Sequence, residues 1–386
     1  MKYLSKVFNL YFDEIASDYF CSPGRIELLG NHTDHNNGLV LVSSVSLSIK
    51  AATKKANEIC IFSKGYPSIK IDLSNIEYKK SEEGTSTSLV KGILRGFVNQ
   101  GYQIGGFKCY LESDIFKGAG ISSSAAYELL IANILNYYYN QNKIQKVELA
   151  KIGQFAEVNY FGKPCGLLDQ MGVSLGGINM IDFKSTSEPK IEQMYLELND
   201  YDVILINTGD DHCNLTDYYK SIQDDMKDIS TYFNCSSLRE VKEDEFYHSL
   251  PILKEKYGGR AILRAVHYFE ENKRVIKARD AIINNNIDLF LKLINESGVS
   301  SFELLQNCFY PEDKKQGITL ALTLSKRIVK DGAFRVHGGG FAGTILAFVN
   351  KKESDNYLNE MSKVFGLNNC VKVKLTKEGT KGLLRN

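Results

Sequence analysis

At 386 residues the chain exceeds the roughly 250–300 at which a single hydrophobic core stops growing, so two lobes are expected. A hydrophobic fraction of 43% with 24% charged residues is globular composition, neither disordered nor fibrous. With 47 Lys and Arg against 46 Asp and Glu, the formal net charge of +1 argues against the concentrated basic face of a nucleic-acid binder.

The N-terminal residues Met1–Lys6 lead into a mixed polar and aromatic stretch without an apolar signal region. No run of about 18 apolar residues follows anywhere. Eight cysteines are scattered with no CxxC pair, which reads as free thiols in a reducing compartment. A cytoplasmic location with no membrane partner is therefore expected. There is no Trp, so any aromatic stacking on a ligand falls to Tyr, Phe or His.

In chain order, the first informative segment is Cys21 to Gly38. From Gly30 to Asn36 only one of seven residues lacks a hydrogen-bonding side chain. Such a density of short donors and acceptors suits a ligand with many hydroxyls, such as a sugar. The bland alternative is a polar turn at Asn36-Asn37-Gly38, and a metal site on His32, Asp34 and His35 ranks third because further ligands are missing. Strands are expected at Leu39–Ser48, Ile59–Phe62 and Phe107–Leu111 from their β-branched, apolar and aromatic content.

Next comes Lys117-Gly118-Ala119-Gly120-Ile121-Ser122-Ser123-Ser124-Ala125-Ala126. Glycines let the backbone turn its amides inward, and the serines open a helix whose first turn leaves N–H groups unpaired. Together they suit a phosphate, and the serine hydroxyls with Glu128 one turn on could hold Mg²⁺. An ordinary Gly loop with Ser caps is the alternative; neither a Walker loop nor a dinucleotide fingerprint is present. Leu130, Ile134, Leu135 and Tyr138 then share one helical face.

Lys184 to Lys190 is polar and carries Pro189, the best candidate for a domain boundary. It sets an expected division into residues 1–185 and 186–386. Beyond it, Val203–Asn207 and Thr344–Val349 read as buried strands and Ala261–Ala278 as a long helix. Strands and helices mix without strict βαβ alternation, which favours an α+β architecture.

These segments resemble a known family. Gly24-Arg25…Gly30-Asn31-His32-Thr33-Asp34-His35-Asn36 resembles the galactokinase signature, and Gly118–Ala126 the phosphate loop of the GHMP small-molecule kinases. Cys165-Gly166-Leu167-Leu168-Asp169-Gln170-Met171 is similar to the galactokinase segment with the catalytic aspartate. Gly338-Gly339-Gly340-Phe341-Ala342-Gly343 is similar to the C-terminal Gly-rich motif, and Asn207…His212…Tyr219 keeps the spacing of a stretch whose tyrosine contacts the sugar. Apart from this context, Asp169 would read as a cap, Arg25 as a surface ion pair and the Gly-rich motif as a tight turn.

The resemblance implies a two-lobed GHMP kinase fold, with an N-terminal ribosomal-protein-S5-like lobe, a C-terminal ferredoxin-like lobe and the active site between them. It implies an ATP-dependent sugar-1-kinase making a sugar 1-phosphate and ADP. ATP phosphates would lie on Gly118, Gly120, Ser122, Ser123 and Ser124, with Mg²⁺ at Ser124 and Glu128. Asp169 would take or orient the proton of the anomeric hydroxyl, and Arg25 would keep it ionised. Asn31, His32, Asp34, Gly166 and Tyr219 would hold the sugar. The partners expected are sugar and ATP only, with no nucleic acid, and a monomer is expected.

The sequence departs from the family pattern in four places. Asn31 stands where Glu is usual, His35 where Tyr is, Phe116 where Pro is, and Ala342 where Gly is common. Galactose leads as the expected substrate, and Asn31 leaves galacturonate or another galacto-configured sugar as the alternative. A non-catalytic sugar- and ATP-binding regulator is a further alternative, set against the uninterrupted Ser122–Ala126 and the presence of Arg25 and Asp169.

Overall fold

The computed structural model describes residues 1–116, 120–209 and 215–383. A large sheet takes β1 (Asp18–Leu29), β2 (Leu39–Ala56), β3 (Ile59–Ser63), β4 (Ile69–Ile71), β5 (Gly106–Ser113), β6 (Ile178–Asp182) and β7 (Lys190–Met194). A smaller antiparallel sheet takes β8 (Tyr201–Asn207), β9 (Gly332–His337), β10 (Thr344–Asn350) and β11 (Cys370–Val373), in the order β11-β8-β10-β9. β12 (Lys381–Leu383) returns to the large sheet and pairs with β1.

The helices in chain order are α1 (Lys2–Phe12), α2 (Ser86–Asn99), α3 (Ser123–Asn140), α4 (Lys146–Ala156), α5 (Leu168–Leu175) and α6 (Thr216–Tyr232). After them come α7 (Glu243–His248), α8 (Leu250–Ile283), α9 (Ile287–Ser300), α10 (Gly317–Ile328) and α11 (Lys351–Phe365). The expected strands lie within β2, β3, β5, β8 and β10, and the expected helices within α3 and α8. α8 is broken at Gly258, whose φ of 78° no helix interior adopts.

The large sheet is built around β2. Its 18 residues are long enough to pair with β1 along one edge and, on the other, with β6 through Leu39–Ser43 and β5 through Ile49–Ala56. β1 carries the first half of the signature, with its polar part, Gly30–Asn36, in the turn that follows, and is broken in register at Pro23/Gly24 and Glu27/Leu29. A polar segment containing Pro does not read as a strand, yet alternation survives: Ile26 and Leu28 face the core, while Arg25 and Glu27 share the opposite side.

The smaller sheet alternates as period two demands. Ile204, Ile206, Ile345, Ala347 and Val349 pack with α10 and α11 residues such as Ile318, Tyr357 and Met361. Val203, Leu205, Leu346 and Phe348 turn to the other side and join a core containing Phe290 and Ile294 of α9 together with the interior of the large sheet. The two sheets thus share one apolar core.

The polar stretch 184–190 connects β6 to β7, which pair with each other. The large sheet therefore takes strands from both sides of the expected division at 185/186, and the chain crosses to the smaller sheet only between Met194 and Tyr201. A Pro- and Ser-containing hairpin turn and an interdomain linker have the same composition, because both are exposed and need turn residues. No helix among the described residues is long and apolar enough to cross a membrane.

Candidate active site

Three elements converge at the centre. β1 presents Arg25, α5 presents Asp169 from its first turn, and the entry to α3 presents Ser122. Arg25 Nε and Nη2 donate to Asp169 Oδ1 at 2.9 and 2.7 Å, while Arg25 Nη1 donates to the Gly120 carbonyl at 2.7 Å. The Ser122 hydroxyl donates to the other Asp169 oxygen. Arg25 is almost fully buried and the Asp169 side chain is 24% exposed, so the carboxylate still opens outward. Burial alone would raise the Asp169 carboxyl; Arg25, Lys163 and the Ser122 hydroxyl overcome it and hold the carboxyl below its ordinary value.

Tight backbone approaches hold these elements. A Cβ on Gly24 would lie 2.8 Å from the Ile121 side chain, and the Arg25 amide donates to the Ile121 carbonyl. A Cβ on Gly172 of α5 would fall 2.5 Å from Val42 Cγ2 and 3.0 Å from Arg25 Cβ. Ser122 sits at φ 57° and its side chain makes no cap to α3, so the amides of the first turn remain open. Ser123 is exposed beside them and Ser124 is partly so. Gly118 lies outside the described residues, as does His212.

Ser124 does not meet Glu128. Its hydroxyl donates to Glu157 Oε1 at 2.9 Å, and Lys163 Nζ lies 2.9 Å from the same oxygen. Glu128 is fully buried; one of its oxygens accepts from Gln170 Nε2 at 3.0 Å and Oε1 has no partner. The same Gln170 nitrogen reaches Glu157 Oε2 at 2.7 Å. Burial, then repulsion from Glu157, pushes the Glu128 carboxyl well above its ordinary range. Glu128 lies one turn beyond the serines, but that turn faces the core. Glu157, where α4 runs into a π-helical segment, lies 33 residues from Ser124 in the chain and had no local signal.

The polar signature meets the Gly-rich motif. Asn31 Nδ2 donates to the Gly338 carbonyl at 2.7 Å, His32 Nε2 to that of Gly339 at 2.9 Å, and Tyr219 Oη to that of Gly340 at 3.1 Å. Gly338, Gly340 and Phe341 all have φ between 59° and 79°, and a Cβ on Gly339 would strike the Tyr219 ring at 2.5 Å. Asp34 faces Gly166 so closely that a Cβ there would lie 1.9 Å from Oδ2, which is why that position is glycine. Burial, followed by the charges of Glu27 and Asp169, pushes the Asp34 carboxyl up to about 7. Burial holds His32 down to about 4, so its ring is neutral and Nε2 carries the proton it donates.

Asn31 stands apart from this set. It is buried, and besides Gly338 its amide donates to Glu27 Oε1 at 2.9 Å, while Oδ1 accepts from Asn307 Nδ2 at 2.8 Å. The expected sugar contact is thus a side chain already satisfied by protein. Glu27, unremarked in sequence because it sits in a strand, also pairs with the buried Arg335 at 3.1 Å.

Among the described residues, no group of three or more His, Cys, Asp and Glu side chains is placed to hold a metal ion. An open groove of roughly 560 Å³ lies elsewhere, between α9 and β9, lined by Tyr201, Asp288, Lys292 and Asp331 and by none of the motif residues.

Comparison with known proteins bears on this arrangement. Residues 6–55 match the galactokinase galactose-binding signature and residues 88–177 the GHMP kinases N terminal domain. A galactokinase of Clostridium perfringens (strain SM101 / Type A) is 32% identical over 373 residues, covering 94% of this chain and 93% of its own. A galactokinase of Lactococcus lactis subsp. lactis (strain IL1403) is 30% identical over 354 residues, covering 89% and 86%. The crystal structure of Lactococcus lactis galactokinase complexed with galactose superposes with a TM-score of 0.86 at 26% identity, covering 99% of both chains. A mevalonate kinase structure at a TM-score of 0.66 and 16% identity, covering 94% and 100%, shares the fold.

Proposed function

We propose, for a chain that belongs to the galactokinase family, that this cleft moves the γ-phosphoryl group of ATP to the anomeric hydroxyl of galactose, giving galactose 1-phosphate and ADP. The enzyme is a phosphotransferase acting on a sugar hydroxyl, with ATP as its co-substrate. The observation that carries the galactose reading is the Arg25–Asp169–Ser122 constellation set between an open helix N-terminus and the Asp34–Gly166 contact.

Phosphoryl transfer needs positioning and charge neutralisation more than covalent chemistry. Asp169 orients the anomeric hydroxyl and receives its proton; held ionised by Arg25, it is a weak base, so the proton moves late. Arg25 also stabilises the charge that develops on the transferring group. The open amides at the start of α3, with Gly120, Ser122, Ser123 and Ser124, hold phosphate oxygens. Asp34, His32, Gly166 and Tyr219 form the sugar side. A hydroxyl and a carboxylate are the hard oxygen donors Mg²⁺ takes, so Ser124 and Glu157 would hold it. When bound, it neutralises phosphate charge.

A uronate would bring another carboxylate to a floor that already contains Glu27, Asp34 and Asp169, so a neutral galacto-configured sugar is the reading proposed. A monomer and a cytosolic enzyme belong to the same proposal. The test is ADP release with galactose, galacturonate, N-acetylgalactosamine, arabinose and glucose offered in parallel. Galactose is expected to lead. Another sugar used at least about tenfold more efficiently overturns galactose, and no ADP from any overturns the kinase.

A further inference from the structure

We propose that Asn31 is a positioning residue for the Gly338–Gly340 turn rather than a sugar-specificity residue, and that Glu27 carries the buried negative charge of this corner. The inference rests on the sugar kinase reading above and assigns a role within the same site.

The first support is saturation. An Asn side chain offers two N–H donors and one acceptor oxygen. Both donors of Asn31 are used, toward Glu27 Oε1 at 2.9 Å and the Gly338 carbonyl at 2.7 Å. The oxygen accepts from Asn307 Nδ2 at 2.8 Å and from the Ser301 hydroxyl at 3.5 Å. The orientation is fixed, because both neighbours on the nitrogen side are acceptors. The residue is 1% exposed, and its own carbonyl accepts from the buried His267 at 2.9 Å. No hydrogen-bonding capacity is left for a ligand.

The second support is charge. Arg335 is wholly buried, and its Nη2 lies 3.1 Å from Glu27 Oε1, the same oxygen that accepts from Asn31. A carboxylate is thus retained in this corner although position 31 is neutral. A second one at 31 would confront Glu27 at hydrogen-bond distance with no free cation between them, and buried unpaired charge is costly. The departure at position 31 is matched inside the protein, without reference to the sugar.

The third support is where the turn leads. Asn307, besides gripping Asn31, donates to the Gly339 carbonyl and accepts from the Phe341 amide. His337, immediately before the turn, accepts the Glu27 amide on Nε2 at 3.1 Å. Across from His337 and Thr344 lies Gly120, where a Cβ would sit 3.3 Å from His337 Nδ1 and 3.0 Å from Thr344 Oγ1. The Gly120 carbonyl in turn holds Arg25, which holds Asp169. A turn released from Asn31 therefore disturbs the reacting pair through two close contacts.

The experiment measures Asn31→Ser and Asn31→Ala in the full chain with galactose, 2-deoxygalactose and 6-deoxygalactose, alongside amide hydrogen exchange of residues 338–343. We expect kcat to fall by about 100-fold for all three sugars alike, the cost of misplacing reacting groups. The ratios of kcat/KM between sugars should stay within about threefold, and exchange across the turn should rise. Asn307→Ser, which removes the other grip, should reproduce the pattern if the Asn31 variants do not fold. A sugar ratio that changes more than about tenfold, or wild-type kcat and exchange, overturns the inference. Inactivity of the wild-type chain on all three sugars instead removes the galactose reading, so the two failures are distinguishable.

Discussion

Asp169 receives three hydrogen bonds from protein donors, two of them from one guanidinium, and so behaves as a fixed acceptor. Asp169→Asn preserves shape and can keep its oxygen on Arg25, with its N–H toward the Ser122 hydroxyl, but it cannot take the proton. We expect kcat to fall by about 10³-fold or more, roughly 4 kcal/mol of lost transition-state stabilisation, in an ADP-release assay. Asp34 behaves oppositely. Its carboxyl titrates at about 7, above its ordinary value of 3.8, so its protonated form is favoured by folding. The sign follows: Asp34 favours the fold below about pH 3.8, and that contribution is lost as pH rises toward 7. Sugar binding has the reverse dependence, because only the ionised carboxylate offers all its lone pairs to hydroxyls. Galactose affinity by calorimetry should therefore weaken on acidification from pH 8 to 6, and Asp34→Asn should flatten that dependence. At this scale the family resemblance singled out Arg25, Asp34, Gly166 and Asp169, and the structure sets Arg25 against Asp169 and Asp34 against Gly166. Glu157, Glu27 and Arg335 were not, because each acts through a partner distant in the chain.

Elements bring these residues within reach through glycine. α5 crosses β1 and β2 so closely that Gly172 leaves no room for a methyl group between Val42 and Arg25. Gly172→Ala should push α5 outward at about 1–3 kcal/mol, the usual cost of overpacking. Because Asp169 rides on α5 and Arg25 on β1, activity should fall together with the melting temperature. A variant with lowered melting temperature but unchanged kcat would show that the crossing does not set the ion pair. Runs of β-branched, apolar and aromatic residues marked β2, β3, β5, β8 and β10 in advance. β1 escaped notice because its polar side chains face the cleft rather than solvent, and the same polarity that hides a strand builds the site. The 184–190 stretch misled for a related reason: turn chemistry records exposure, not the distance to the next element.

The whole molecule joins two sheets through one apolar core, in which Val203 and Phe348 of the smaller sheet pack with the large-sheet interior. The two lobes expected for a chain of this length are consistent with its two sheets, and neither sheet can leave without stripping the other. Calorimetric unfolding should give a single transition; two resolved peaks would contradict a shared core. The near-neutral charge count also fits this scale. Phosphates can be held by backbone amides at the start of α3, so the molecule needs no broad basic surface to take ATP.

Ser122 carries a last consequence. It holds a left-handed backbone conformation that costs on the order of 1 kcal/mol, and spends on Asp169 the hydroxyl that would otherwise cap α3. Durability and turnover therefore compete for one side chain. Directed evolution scored only on heat resistance would be drawn to position 122, where glycine or asparagine relaxes the backbone, and its winners would be sturdier proteins that had stopped working.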